Sequence, residues 1–482
     1  MSGRGSLLTK LTFVATLGGL LFGYDTAVIS GAVTSIDANF IAPLRLSETV
    51  ANSLSGWTIS SALFGCIIGA ILAGTVANRL GRKGGLLLAG MLFLVSAVGS
   101  AYPEIGFGTI GSFGPKILGA FIFYRIVCGV GIGIASMLSP LYIAEISPHE
   151  VRGRLVSCNQ LAIVLGIALV YFVNWFIASQ GNAVWLRATG WRLMLLSEAV
   201  PAALCVALLL TVPDTPRWLV MRGRDAQALD ILRRLGGEEA RDAAAAKATV
   251  QQIRDSLRVS HGSAAPLLTF GPLVIVVGVL LSAFQQFVGI NAVMYYAPLM
   301  FRNMGASTDS ALWQTVIVGV ANVVFTVIAI LTVDRLGRKP LLILGALIMA
   351  GAMFTLGLLF DLQRLGAGAL VAVVVYVAGF ALSWGPVTWV LLSEIFPNAI
   401  KSRAMAIAVA AQWVCNLLVS WSFKVLDGSS LLNGAFHHGF AYWFYALMSL
   451  LAAVFVFLYV PETKRHTLEG IHRLWKREES PT

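Results

Sequence analysis

The chain has 482 residues, 57% of them hydrophobic and only 12% charged, with a mean hydropathy of +0.81 and a formal net charge of +11. Soluble globular proteins carry about 25% charged residues, so a soluble enzyme, a nucleic-acid binder and a disordered chain are all poor readings, and a polytopic membrane protein is the default. The positive excess fits Lys and Arg gathered in cytoplasmic loops and needs no polyanion partner.

Crossing a hydrocarbon core of ~30 Å takes roughly 20 apolar residues. Twelve stretches reach that length: 10–31, 54–77, 84–102, 117–138, 154–178, 191–212, 272–300, 311–332, 340–360, 369–393, 402–424 and 440–460. The first carries Asp25 and lacks a small-residue cleavage pattern, so it reads as a span and not as a signal peptide. Between the sixth and seventh lies the only long polar segment, 214–271, with amphipathic helices expected at 225–235 and 238–258. The expected organisation is a first six-span half at 1–213, a helical linker at 214–271, a second half at 272–461 and a tail at 462–482. Placing both termini in the cytoplasm puts most of the 34 Lys and Arg residues on that side. Arg45, Lys116, Arg187, Arg192, Arg302, Arg364 and Lys424 fall outside. The five cysteines (Cys66, Cys128, Cys158, Cys205 and Cys415) sit in apolar stretches without a C-x-x-C pair and read as buried packing residues.

The halves echo one another. Asn78-Arg79-Leu80-Gly81-Arg82-Lys83 recurs as Asp334-Arg335-Leu336-Gly337-Arg338-Lys339, Glu145-Ile146-Ser147-Pro148 as Glu394-Ile395-Phe396-Pro397, and Pro213-Asp214-Thr215 as Pro461-Glu462-Thr463. The three echoes keep their order and an offset of about 250 residues. A duplicated six-span unit is the internal symmetry of alternating-access carriers, whose binding site lies between the halves near mid-membrane.

These loops, together with Pro213-Asp214-Thr215-Pro216-Arg217-Trp218, Pro461-Glu462-Thr463-Lys464 and Gln285-Gln286-Phe287-Val288-Gly289-Ile290-Asn291, resemble the signature of the sugar porter family within the major facilitator superfamily. Phe22-Gly23-Tyr24-Asp25-Thr26-Ala27-Val28-Ile29-Ser30-Gly31 and Ser383-Trp384-Gly385-Pro386-Val387 are similar to runs in that family's bacterial D-xylose–proton symporters. The resemblance covers nearly the whole chain. It implies an all-α membrane fold of twelve transmembrane helices in two pseudo-symmetric six-helix halves. It also implies a multi-pass protein of the bacterial inner membrane, working as a monomer on a monosaccharide and a proton, with no cofactor, metal or nucleic acid.

Three ionisable residues lie well inside spans: Asp25, Arg125 and Glu198. Each buried charge costs about 2.5–3.5 kcal/mol on insertion scales. Counting along the helices places all three roughly 9–12 Å below the outer edge, where they can meet. A static ion-pair cluster is the plain alternative. Two acids sharing one guanidinium exceed what neutrality needs, and one acid can take up a proton when the Arg turns to the other. The resemblance implies that Asp25 is the proton carrier, with Arg125 and Glu198 its partners.

A sugar offers hydroxyls that both donate and accept, on a ring with apolar faces. Neutral amides and aromatic rings match it without the desolvation cost of a charge. Amides inside spans are Gln160, Gln285, Gln286, Asn291, Asn322, Gln412 and Asn416. Any one alone is as well read as interhelical glue. The resemblance implies sugar contact for Gln160, Gln285, Gln286, Asn291 and Gln412, pocket tryptophans at Trp389 and Trp413, and a gating tyrosine at Tyr295. It also marks two specificity positions. Ile167 stands where the xylose symporters carry a glutamine and glucose carriers an isoleucine, and Met294 matches neither group.

The loop basics Arg79, Arg82, Arg335 and Arg338 lie at helix ends near Glu145 and Glu394, as the positive-inside rule alone would place them; the resemblance implies a latch of interhelical salt bridges among Arg82, Glu145, Asp334, Arg338 and Glu394 that closes the cytoplasmic side. Asn78 departs from the usual aspartate in the first copy. The leading expectation is D-xylose–proton symport by alternating access. A glucose or hexose symporter, a facilitative uniporter and a membrane sugar sensor are the alternatives. An enzyme is disfavoured, since all six histidines lie in loops or tail and no nucleophile–base set falls within a span.

Overall fold

The structure, a computed structural model, describes residues 2–111, 114–148, 151–235, 243–260, 266–267, 269–397 and 400–463. It is an all-helical membrane fold, without strands among the described residues. Span one is Ser2–Ile36. Spans two and three arrive as one helix, Glu48–Ala101, of 54 residues. Unbroken, it would be about 80 Å long, far beyond a ~30 Å core. Gly81, at φ 83 and ψ 175, turns the chain so that the two arms are separate crossings. Eleven apolar helical stretches thereby give the twelve expected spans.

Span four is Leu118–Ile146 and span five Arg152–Ala178. Spans eight, nine, eleven and twelve are Thr308–Leu336, Arg338–Asp361, Lys401–Asp427 and Gly439–Tyr459. Of the other three, span six loses one helical hydrogen bond at a proline and spans seven and ten are broken. Span six consists of Trp191–Leu196 and Ala199–Leu210. Pro201 has no N–H for the carbonyl of Ser197, so one helical bond is lost there, while Ser197 and Glu198 keep helical dihedrals. Span seven is Pro272–Phe287 and Ile290–Asn303, interrupted at Gly289 with φ 94. Span ten is Ala367–Leu382 and Trp384–Ile395, interrupted at Ser383. Broken backbone at membrane depth survives only where protein or a cavity satisfies it. Tyr376 does so at span seven, its hydroxyl donating to the Val288 carbonyl at 2.7 Å.

The linker forms helices Asp225–Leu235 and Ala243–Ser260, against the expected 225–235 and 238–258; residues 236–242 lie outside the described set. Asp225–Leu235 rests on span one. The halves meet where span one packs on span seven, two on eleven and five on eight. The last two pairs exchange under the internal repeat.

At the end remote from the linker, polar bonds tie one half to the other. Lys424 Nζ lies 2.8 Å from Asp37 Oδ2, Asn52 donates to the Gly428 carbonyl at 2.8 Å, Trp421 Nε1 to the Ser53 carbonyl at 3.1 Å and Arg302 to Thr34 at 2.9 Å. At the linker end the strong ion pairs lie within a half. Arg82 Nη2 meets Glu145 at 2.8 Å and Arg338 Nη2 meets Glu394 at 3.0 Å.

The three sequence echoes converge there. In the first half Thr215 donates to the second oxygen of Glu145 at 2.5 Å, and Asp214 accepts from the Arg82 backbone N–H at 3.1 Å. In the second half Thr463 donates to Glu394 at 2.6 Å, and Glu462 accepts from the N–H groups of Arg338 and Lys339 at 3.1 and 3.0 Å. Burial pushes the Asp214 carboxyl above the usual carboxylate range, against the backbone donors that lower it. The side chain of Asp334 lies outside the described residues.

Gly81 is indispensable to the first cluster. A Cβ there would stand 2.0 Å from Asp214 Oδ2, and its φ is left-handed; at Gly337, with φ 94, the nearest atom is Glu462 Oε2 at 2.9 Å. We expect Gly81→Ala to cost about 1–3 kcal/mol and to lower the melting temperature of the purified protein more than Gly337→Ala does. Equal melting curves for the two variants would contradict this account of the turn.

Candidate functional site: a buried acid pair beside a chain of amides

Span four brings Arg125 against Asp25 of span one. Nη1 meets Oδ1 at 2.5 Å and Nη2 meets Oδ2 at 3.2 Å, a bidentate pair. Glu198, in the turn of span six before Pro201, reaches the same place. One carboxylate oxygen each of Asp25 and Glu198 and the sulfur of Cys128 lie within 4.8 Å of one another. Asp25, Arg125 and Glu198 are 1%, 2% and 1% exposed. The three in-span charges thus meet, and the guanidinium is with Asp25. Tyr24, beside Asp25, hydrogen-bonds the Ser197 hydroxyl at 2.8 Å, tying span one to the turn of span six that carries Glu198.

The breaks in spans seven and ten face span eleven. Gln285 donates to the Trp384 carbonyl at 3.0 Å. Its own side-chain oxygen accepts from Gln286 at 3.3 Å and from Gln412. Asn291, just past the break, donates to Gln286 at 2.6 Å. Four of the five amides named from the sequence therefore form one hydrogen-bonded chain. The side-chain oxygen of Gln412 is buried with no partner among the described residues. Such an orphaned acceptor is costly unless a donor comes to it.

Trp413 is buried and sets its ring 5.7 Å from Phe22 of span one. Tyr295, one turn beyond Asn291, lies within electrostatic reach of Asp25, Arg125 and Cys66. Met294 accepts at its carbonyl from Tyr171 at 2.7 Å, and Ile167 lies one turn before Tyr171 on span five, 7% exposed. Gln160, on that helix, and Trp389, past the break in span ten, are half-buried and stand outside the hydrogen-bonded amide chain among the described residues.

Sequence reasoning missed a second buried ion pair. Glu104 is 0% exposed and lies 3.0 Å from Arg192, whose guanidinium also covers the rings of Tyr102 and Trp191. It pins the far end of span three to span six. Arg192 sits at a span end and Glu104 in a loop, so neither is conspicuous in a linear reading. Cys128 was also set among plain packing residues, since nothing in the spacing predicts its contact with Glu198.

Two halves related by a direct internal repeat, broken spans and mid-depth polar groups define a membrane carrier of the major facilitator architecture. The chain belongs to the sugar (and other) transporter family, whose profile matches residues 11–475. It is 54% identical to the D-xylose-proton symporter of Escherichia coli K12, over 99% of this chain and 98% of that one. It is 47% identical to the glucose facilitated diffusion protein of Zymomonas mobilis, over 98% of each. Its fold is similar to the inward open conformation of the E. coli xylose transporter XylE, with a TM-score of 0.87 at 52% identity over 97% of this chain and 100% of that one.

Proposed function

We propose that the protein is a monosaccharide–proton symporter of the bacterial inner membrane, taking up D-xylose by alternating access, with the linker and both termini cytoplasmic. The observation that carries coupling is the bidentate Asp25–Arg125 pair with Glu198 as a second acid beside it. Asp25 binds a proton when Arg125 leaves it for Glu198. The amide chain supplies donors and acceptors for sugar hydroxyls, Trp413 and Trp389 the apolar faces, and Tyr295 the link between the two sites. Xylose is favoured by the 54% identical relative. Glucose is the second reading, favoured by Ile167 and by the 47% identical glucose carrier.

The test is sugar-induced alkalinisation of the medium around energised cells or proteoliposomes, with xylose, glucose and galactose compared. A sugar that enters without moving protons would overturn coupling, and a stronger response to glucose would overturn xylose. In this reading the polar bonds remote from the linker close the periplasmic side of an inward-facing carrier. Lys424 and Asp37 keep 11% and 29% exposure, so their pair contributes about 0.2–1 kcal/mol. We expect Lys424→Ala to raise the outward-facing population up to about fivefold, read as longer periplasmic spin-label distances between the halves. An unchanged distance distribution would remove this pair from the gate.

A further inference from the structure

Cys128 lies three residues beyond Arg125 on span four and is fully buried. Its sulfur is 3.9 Å from Glu198 Oε1. Of the groups around Glu198, Arg125 gives both of its Nη nitrogens to Asp25 while its Nε has no partner among the described residues, and the Asp25 carboxyl, an acceptor when ionised, lies within hydrogen-bonding reach of Glu198 as a like charge. With Arg125 turned to Asp25, the Cys128 thiol is the neutral side-chain donor in contact with Glu198 among the described residues. A thiol is a weak donor, yet in a dry site even a weak donor favours the ionised form of the carboxyl it touches.

We propose that Cys128 is a positioning residue for proton coupling: its thiol holds the Glu198 carboxyl beside Asp25 and strengthens Glu198 as the competitor for Arg125. The inference rests on the symport reading above. The ionisable groups facing this point are Tyr24 and Asp25 from span one, Cys66 from span two, Arg125 from span four, Glu198 from span six and Tyr295 from span seven. Because the two acids compete for one guanidinium, a stronger Glu198 makes Asp25 easier to protonate.

The experiment measures the pH profile of xylose uptake in proteoliposomes, with sugar counterflow as the control for folded protein. Removing the donor in Cys128→Ala moves the midpoint to lower pH by about half a unit. Cys128→Ser keeps a donor and leaves the midpoint at, or alkaline of, the wild-type value. If Cys128→Ala exchanges sugar poorly, Cys128→Val fills the volume without a donor and takes its place. An unmoved midpoint in the donor-free variant, or the same displacement in the serine variant, overturns the role. Wild-type uptake with no proton movement overturns the symport reading itself, and that result is read before any variant is made.

Discussion

Asp25→Asn abolishes uphill sugar accumulation while sugar binding and counterflow persist. The amide nearly copies the shape of the carboxyl but carries no exchangeable charge. Arg125, deprived of its bidentate partner, is then held by Glu198. One proton crossing about 150 mV releases about 3.5 kcal/mol, enough for accumulation of roughly a few hundred-fold at 1.4 kcal/mol per decade. The variant should bring the inside-to-outside ratio to unity. Uptake into proteoliposomes under an imposed pH gradient measures it, and a ratio held well above one would refute Asp25 as the proton carrier.

Gln285→Ala has the opposite pattern: binding fails first. Gln285 is the hub of the amide chain, donating to Trp384 and accepting from Gln286 and Gln412. Truncation strands the Trp384 carbonyl and both amide donors in a buried place, besides removing a partner for the sugar. Each stranded group costs about 1–3 kcal/mol, and affinity should fall at least tenfold to a hundredfold. Calorimetry or tryptophan fluorescence on purified protein gives the value. Asp25→Asn and Gln285→Ala together separate the proton site from the sugar site, and wild-type affinity in Gln285→Ala would dismiss the hub.

Much of this architecture is written in apolar run length. Twelve stretches near 20 residues gave the spans, because a bilayer leaves a helix no other way to satisfy its backbone. The echoes around Gly81 and Gly337 located the paired clusters at the linker end. They did not reveal that Glu145 and Glu394 bind inside their own halves, a matter of packing and not of pattern. Asp25, Arg125 and Glu198 were legible because charge in oil is rare. Glu104–Arg192 was not, since loop acids and terminal arginines are common and only the fold shows that water is absent from both. Cys128 was illegible for a related reason: a thiol in an apolar run signals nothing until a carboxyl is found against it.

The linker-end clusters tie each half to itself, whereas at the opposite end a handful of replaceable polar bonds supplements the packing of one half on the other. Such a molecule is a rocker with a shallow energy difference between its two tilts. Reversing a population from 1:99 to 99:1 needs about 5.5 kcal/mol of differential binding, which in the symport reading proton and sugar must supply together. The resting bias must therefore be small. Weak interfacial pairing is a requirement of the engine, and reinforcing that seam would stall the cycle more surely than loosening it.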